Sequence, residues 1–295
     1  MSDAVGFIGL GAMGKPMALN LRKHDVAVVV HNRSHAAERV LADAGAGIAT
    51  TPAAVAAASQ VVFTMLPDAP DVDAILGGPS GLLAGLQAGS VVVDSSTIAP
   101  SAARRFAALV AEHGGHYLDA PVSGGEIGAI DGTLTFMVGG DGAALDRVRP
   151  LLAHMGKAER IVHVGPSGSG QICKACNQLV IGGTMVAVAE ALALARKAGV
   201  DGAKVRQALL GGFAASRVLE VHGERMLAAN YKPGFKARLY QKDLRIVAEA
   251  LAEFGVAAPE TALVQQLVHA QVAAGGGEDD YSGVATTIFR LAGLN

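Results

Sequence analysis

The sequence predicts an α/β domain built on a parallel sheet, followed by an all-α domain. Three observations carry this. Short apolar runs alternate with Ala-rich amphipathic stretches from residue 4 to residue 163, the alternation stops at a Gly/Ser/Pro-rich segment, and everything beyond has helical spacing. Strands alternating with helices imply βαβ crossovers, and crossovers make neighbouring strands parallel. The chain is 51% hydrophobic but only 4% aromatic, so its core is built from Ala, Val, Leu and Ile. Such a core suits helices packed on a parallel sheet better than a β-sandwich.

The apolar runs predict strands over residues 5–8, 26–30, 61–66, 90–94 and 116–119. Several end at Gly, Pro, Asn, Asp or Ser, which stop strands and cap the helices that follow. The segment 163–170, HVGPSGSG, sets the domain boundary near 165, giving domains over 1–165 and 166–295. Beyond it the pattern predicts one long helix over 171–199, with Gly199 as its C-cap. Further helices are expected over 202–210, 216–229, 241–254, 260–274 and 283–292. The stretch 275–280, GGGEDD, reads as an exposed loop.

Composition excludes several classes of function. The formal net charge of −2 leaves neither a basic footprint for nucleic acid nor a polybasic membrane surface. The N-terminus has no charged region leading into a long apolar one, so it does not read as a signal peptide. The longest apolar stretch, 179–195, is shorter than a bilayer span and is interrupted by Thr184 and Glu190, which favours a helix buried between domains or subunits. Two cysteines are too few for a disulfide scaffold and fit a reducing, cytoplasmic setting.

Gly9-Leu10-Gly11-Ala12-Met13-Gly14 is a G-x-G-x-x-G. In a chain with 38 glycines the pattern alone carries little weight. Here it follows an apolar strand, opens a helix-compatible stretch and is followed a dozen residues later by a second strand, the context a dinucleotide site requires. Gly9 suits the tight turn, Gly11 the approach of a pyrophosphate and Gly14 close helix–strand packing. The N-terminal N–H groups of the helix would receive the phosphates. The first domain is therefore expected to be of the Rossmann type.

Cofactor choice is read at the end of the second strand, where NAD-binding units place an acid on the ribose hydroxyls. This chain has Asn32-Arg33-Ser34 instead. A neutral Asn32 removes the repulsion that a 2′-phosphate would meet, and Arg33 offers it a planar fork, so NADP is expected over NAD. The competing reading of Arg33 is a solvated arginine at a strand end.

At this point the sequence resembles a known family. Residues 7–21, FIGLGAMGKPMALNL, look like the N-terminal signature of the β-hydroxyacid dehydrogenases. The likeness continues through Met65-Leu66-Pro67, Asp94-Ser95-Ser96-Thr97, Asp119-Ala120-Pro121-Val122-Ser123-Gly124-Gly125, residues 170–178 and Gln241-Lys242-Asp243-Leu244. The resemblance implies hydride transfer between NAD(P) and a small carboxylate-bearing hydroxy acid or semialdehyde. Asn177-Gln178 and the segments 211–216 and 231–235 are most similar to the reductases of a small semialdehyde acid.

The resemblance also assigns residues. Lys174 falls at the family's catalytic-lysine position. A lysine can protonate a developing alkoxide, or accept the hydroxyl proton in reverse, if its pKa is brought toward neutrality. On a helix, Gly170, Lys174 and Asn177 share a face, so Gly170 would leave room for substrate and Asn177 would orient it. Ser123, Gly124 and Gly125 follow a strand end and offer a hydroxyl and two backbone N–H groups to a carboxylate. Leu66, Pro67 and Thr97 would line the cofactor, and Lys242 would lie near it.

Cys173-Lys174-Ala175-Cys176 is formally a C-x-x-C, but it has no second cysteine pair for zinc and lies inside the predicted helix. Both cysteines are expected to be small buried residues. The nine histidines form no H-x-x-x-H pattern, and no metal is expected. Two other classes share this architecture. Imine reductases usually lack the lysine, and a non-catalytic dinucleotide-binding scaffold would have lost it. The apolar C-terminal helices suggest a homodimer or homotetramer.

Overall fold

The computed structural model describes residues 4–294. Its chain divides into two compact units, one ending at Lys174 and the other beginning at Ala175. The strands of the first unit are β1 (Ala4–Ile8), β2 (Val28–His31), β3 (Gly47–Ile48), β4 (Ser59–Thr64), β5 (Val91–Asp94), β6 (His116–Asp119), β7 (Val122–Ser123), β8 (Leu134–Gly139) and β9 (Gly156–Gly165). They form one sheet in the order β3-β2-β1-β4-β5-β6-β8-β7, with β9 also paired to β8. From β3 through β6 every pairing is parallel.

The strand order 3-2-1-4-5-6 reverses direction between β1 and β4, and ligands of open α/β sheets bind outside the carboxyl ends at such a point. The five predicted runs became β1, β2, β4, β5 and β6. The sequence reading missed β3, β7, β8 and β9, and with them a departure from an all-parallel sheet, because β8 runs antiparallel to β6 and β7.

Alternate residues of the central strands enter two different cores. Phe7, Phe63, Val91 and Val93 pack with Met17, Leu21 and Phe136 on one face. Ile8, Val62 and Val92 pack with Val55, Ile98 and Phe106 on the other. A strand buried on both faces reads as a continuous apolar run, which is why these strands were legible. Truncating a buried phenylalanine such as Phe63 to alanine costs roughly 3–5 kcal/mol.

The second unit is helical. The long helix, Ser169–Lys197, runs into it, and Gly199 takes a left-handed conformation (φ +69°) just past its end. Helices Gly202–Leu210, Arg217–Leu227, Ala237–Glu253, Pro259–Ala273 and Val284–Leu291 follow. Asp201 and Ser216 cap the first two of these, accepting from the N–H groups of Ala203 and Leu219. Met185, Leu192, Tyr240, Leu244, Val264 and Val268 form the core. The long helix is apolar enough to cross a membrane by length and composition, and half of its most apolar window is buried inside the protein.

The glycine-rich stretch 275–280 corrects an expectation. Gly276–Glu278 forms a 3-10 turn, and Asp280 is inaccessible to solvent rather than part of an exposed loop. Its Oδ2 accepts from the N–H groups of Gly234 and Phe235 at 2.9 and 3.2 Å, and its Oδ1 from the N–H of Ser282 at 3.1 Å. Composition registers the polarity of such a stretch but not the donors that fold around its carboxylate.

Candidate active site

The glycine loop lies between β1 and helix Gly14–Lys23. Gly9 has φ +94°, and a Cβ on Gly14 would lie 2.0 Å from the Gly9 carbonyl oxygen. Both glycines are required by the turn itself. Gly11 is different: a Cβ there would meet nothing within 4 Å, and Gly11 and Ala12 are exposed. Leu10 is buried and Met13 is partly buried against the core. The open backbone at Gly11, beside a helix start, fits a dinucleotide pyrophosphate.

Asn32 follows β2 and is tied into this loop. Its Oδ1 accepts the N–H of Leu10 at 2.9 Å, and its Nδ2 donates to Ser34 O at 2.9 Å and to Ser34 Oγ at 3.0 Å. Its own N–H donates to Glu38 Oε1 at 2.8 Å. Glu38 is buried and also contacts His35 Nδ1 at 2.7 Å. Burial raises its pKa, but the bonds from His35 and Asn32 outweigh that and hold it below the ordinary value. Sequence reasoning passed over Glu38; its one signal was an acid in the first turn of the helix after β2. Arg33 is exposed, with no ion pair among the described residues.

The carboxyl ends of β4 and β5 are joined by Asp94. Its Oδ1 accepts from Thr64 Oγ1 at 2.7 Å and the Ser96 N–H at 3.0 Å, and its Oδ2 from Tyr117 at 2.8 Å. Burial, and then the Asp94 charge, push the Tyr117 phenol well above its ordinary pKa. Ser96 Oγ in turn accepts the N–H of Leu66 at 2.9 Å. Leu66 and Thr97 are half-buried and Pro67 is exposed at this edge.

Lys174 is buried, and its Nζ donates to the carbonyl of Val122 at 2.9 Å. Val122 directly precedes Ser123, so the lysine and the Ser123-Gly124-Gly125 turn are brought together. Ser123 pairs with Thr135 at the edge of the sheet, and Gly124 and Gly125 are exposed at the start of helix Gly125–Asp131. Gly170 corrects an expectation. A Cβ there would lie 2.4 Å from the carbonyl oxygens of Asp119 and Met137, so it permits the helix to pack on strand ends and opens no room for substrate.

In the second unit, Asn177 Nδ2 donates to Gln178 Oε1 at 2.8 Å, and Gln178 Nε2 to Asp243 Oδ2 at 2.5 Å. Lys242 Nζ lies 3.0 Å from Asp243 Oδ1. Asn177, Gln178, Asp243 and Lys242 thus form one polar chain, and Gln178 and Asp243 are its buried members. Cys176 is exposed and Cys173 half-buried, contrary to the expectation that both are buried, because at i,i+3 spacing they share a side of the helix that is only partly covered, while Gln171, Lys174, Ala175 and Gln178 take the buried side. Among the described residues no cluster of three His, Cys, Asp or Glu side chains is placed to hold a metal.

The sheet, the glycine loop and the buried lysine define a dinucleotide-dependent oxidoreductase. Two family models match the chain: "NAD binding domain of 6-phosphogluconate dehydrogenase" over residues 4–165, and "NAD-binding of NADP-dependent 3-hydroxyisobutyrate dehydrogenase" over residues 168–288. The chain belongs to the β-hydroxyacid dehydrogenase family, the group that includes 3-hydroxyisobutyrate dehydrogenase. It is 46% identical over 288 residues to 2-hydroxy-3-oxopropionate reductase of Escherichia coli (strain K12), covering 98% of each chain. The fold is similar to that of Mycobacterium tuberculosis 3-hydroxyisobutyrate dehydrogenase with L-serine (TM-score 0.88, 34% identity, 98% of this chain and 99% of that one). It is also similar to Psf3 in complex with NADP+ and 2-OPP (TM-score 0.88, 29% identity, 97% of this chain and 100% of that one).

Proposed function

We propose that this enzyme reduces tartronate semialdehyde (2-hydroxy-3-oxopropionate) to glycerate with NADPH, using Lys174 as the general acid. The observation that carries the reading is the buried Lys174 Nζ, 2.9 Å from the carbonyl that precedes Ser123. Substrate choice is supported by the 46% identity to the Escherichia coli reductase.

The reduced nicotinamide, when bound, would supply the hydride to the aldehyde carbon. Lys174 delivers a proton to the alkoxide oxygen as negative charge develops there, and the neutral amine takes the hydroxyl proton in the reverse direction. The Ser123 hydroxyl and the N–H groups of Gly124 and Gly125 hold the substrate carboxylate. Asn177 orients the substrate, its amide steadied by Gln178. On the cofactor side, the backbone of residues 9–14 would receive the pyrophosphate, and Leu66, Pro67, Thr97 and Lys242 would line the rest. Arg33 and Ser34 would hold the 2′-phosphate. The NADP preference is supported by the exposed guanidinium, the neutral Asn32, and the similarity to Psf3, which is described with NADP+.

A homo-oligomeric, cytoplasmic enzyme completes the reading. Leu194, Leu263 and Leu291 are exposed around a cavity of about 480 Å³ in the second unit and suit contact with a second copy. Light scattering gives the mass, and a monomer at micromolar concentration rejects that part.

Steady-state kinetics with tartronate semialdehyde, 3-hydroxyisobutyrate, glyoxylate and succinic semialdehyde, each with both dinucleotides, tests the substrate. The highest kcat/KM is expected for tartronate semialdehyde with NADPH. Turnover of 3-hydroxyisobutyrate with none of tartronate semialdehyde rejects it. Pockets for acids differing by one methylene discriminate only about 10- to 200-fold, so the ratio matters more than any single rate.

A further inference from the structure

Gln171 lies one turn before Lys174 on the long helix and is 1% exposed. Its amide is directed at the loop after β5. Oε1 accepts the N–H of Ile98 at 3.1 Å, and Nε2 donates to the carbonyl of Ser96 at 2.8 Å. A primary amide presents an acceptor and a donor side by side, and here the two hold the backbone groups on either side of Thr97. Both bonds are buried, where an unmade partner is costly.

The backbone of Gln171 is anchored as well. Its N–H donates to Asp119 Oδ2 at 3.0 Å, while Asp119 Oδ1 accepts the N–H of Gly168 at 2.7 Å. Asp119 is inaccessible to solvent and sits in register with Asp94, whose carboxylate accepts the Ser96 N–H at 3.0 Å. Asp119, Gln171, Ser96 and Asp94 therefore make one continuous network. At one end is the loop carrying Thr97, and at the other the helical turn carrying Lys174. The packing of Gly170 against the carbonyls of Asp119 and Met137 leaves that turn no slack.

We infer that Gln171 is a positioning residue for hydride transfer, fixing Thr97 on the cofactor side relative to Lys174 on the substrate side. The inference rests on the reading of Lys174 as the acid/base. An aligned pair of reactants is sensitive to small displacements, about 100-fold in rate for 1 Å. Loss of the amide is therefore expected to slow the transfer step while leaving dinucleotide binding, which the glycine loop governs, nearly intact.

The test is single-turnover oxidation of NADPH and of its 4-deuterated form by Gln171→Leu, Gln171→Glu and Lys174→Ala, using whichever of the three aldehydes, tartronate semialdehyde, glyoxylate or succinic semialdehyde, turns over best. NADPH affinity and thermal unfolding are measured on the same preparations. Gln171→Leu removes both bonds at similar volume and is expected to transfer hydride at least about tenfold more slowly, with a larger deuterium effect and NADPH affinity within about threefold of wild type. Gln171→Glu keeps the acceptor for Ile98, and its rate is expected between the two; it carries the same comparison if the leucine variant does not fold. A wild-type transfer rate in these variants overturns the inference. So does a loss matched by an equal loss of NADPH affinity or of folded protein. If Lys174→Ala keeps its rate, the reading of the lysine falls; if it loses its rate and the Gln171 variants do not, the lysine stands and the positioning role falls.

Discussion

Leu10 donates its backbone N–H to Asn32 Oδ1 at 2.9 Å, a bond that ties the middle of the glycine loop to the end of β2. With Nδ2 engaged by Ser34, the amide of Asn32 is a strut of the loop. Replacing it with leucine leaves the Leu10 N–H without its acceptor, at a cost of about 1–3 kcal/mol. Asn32→Leu is expected to weaken NADPH and NADH alike, by roughly tenfold on that energy. Asn32→Asp keeps the acceptor but adds a charge, and is expected to weaken NADPH selectively. Fluorescence titration measures both, and unchanged affinities in Asn32→Leu would remove the strut.

Arg33 tests cofactor preference by itself. A hydrogen-bonded pair with a charged group contributes about 1.5–3 kcal/mol. Arg33→Ala should therefore weaken NADPH at least about tenfold while leaving NADH within about twofold. Equal losses for the two would mean that the guanidinium does not read the 2′-phosphate.

The two remaining roles of the glycine loop separate by substitution. Alanine at Gly14 places a Cβ 2.0 Å from the Gly9 carbonyl, a backbone clash, whereas alanine at Gly11 meets nothing within 4 Å. Gly14→Ala is expected to lower Tm by several degrees, since overpacking costs about 1–3 kcal/mol. Gly11→Ala is expected to keep its Tm and lose dinucleotide affinity. Calorimetry alongside titration distinguishes them, and a destabilised Gly11→Ala would contradict the assignment.

Much of this was legible because the central strands are buried on both faces. Phe7, Val62 and Val92 lie in runs with no polar alternation, and Gly9 to Gly14 stands where β1 must end. The strand β8 carried an apolar run of its own, but its antiparallel direction follows from the reversal through helix Gly125–Asp131 and from pairing with β6 and β7, neither of which is written in periodicity. Glu38, Asp119 and Gln171 were not singled out for a different reason. Their significance lies in which distant backbone N–H groups they meet, as Gln171 meets Ile98 across 73 positions. A buried carboxylate or amide looks like any surface one in a sequence.

Asp119 gives the fold a pH dependence with a definite sign. Burial pushes its pKa from 3.8 up to about 6, aided by Asp94 and opposed by the N–H donors of Gly168 and Gln171. A carboxyl held above its unfolded value contributes stability that is full below 3.8 and lost as pH rises through about 6. Relative to Asp119→Asn, the wild type is expected to gain about 1 kcal/mol between about pH 7.5 and about pH 5. Urea unfolding of both proteins at the two pH values measures it, and a constant difference would show that Asp119 does not titrate there.

The central claim is that Lys174, held 2.9 Å from the Val122 carbonyl, moves the proton. General acid–base catalysis contributes about 10²- to 10⁴-fold. Single-turnover oxidation of enzyme-bound NADPH by tartronate semialdehyde is expected to slow by at least about 100-fold in Lys174→Ala, with NADPH affinity unchanged. A Lys174→Ala enzyme that oxidises NADPH at close to the wild-type rate would contradict the account.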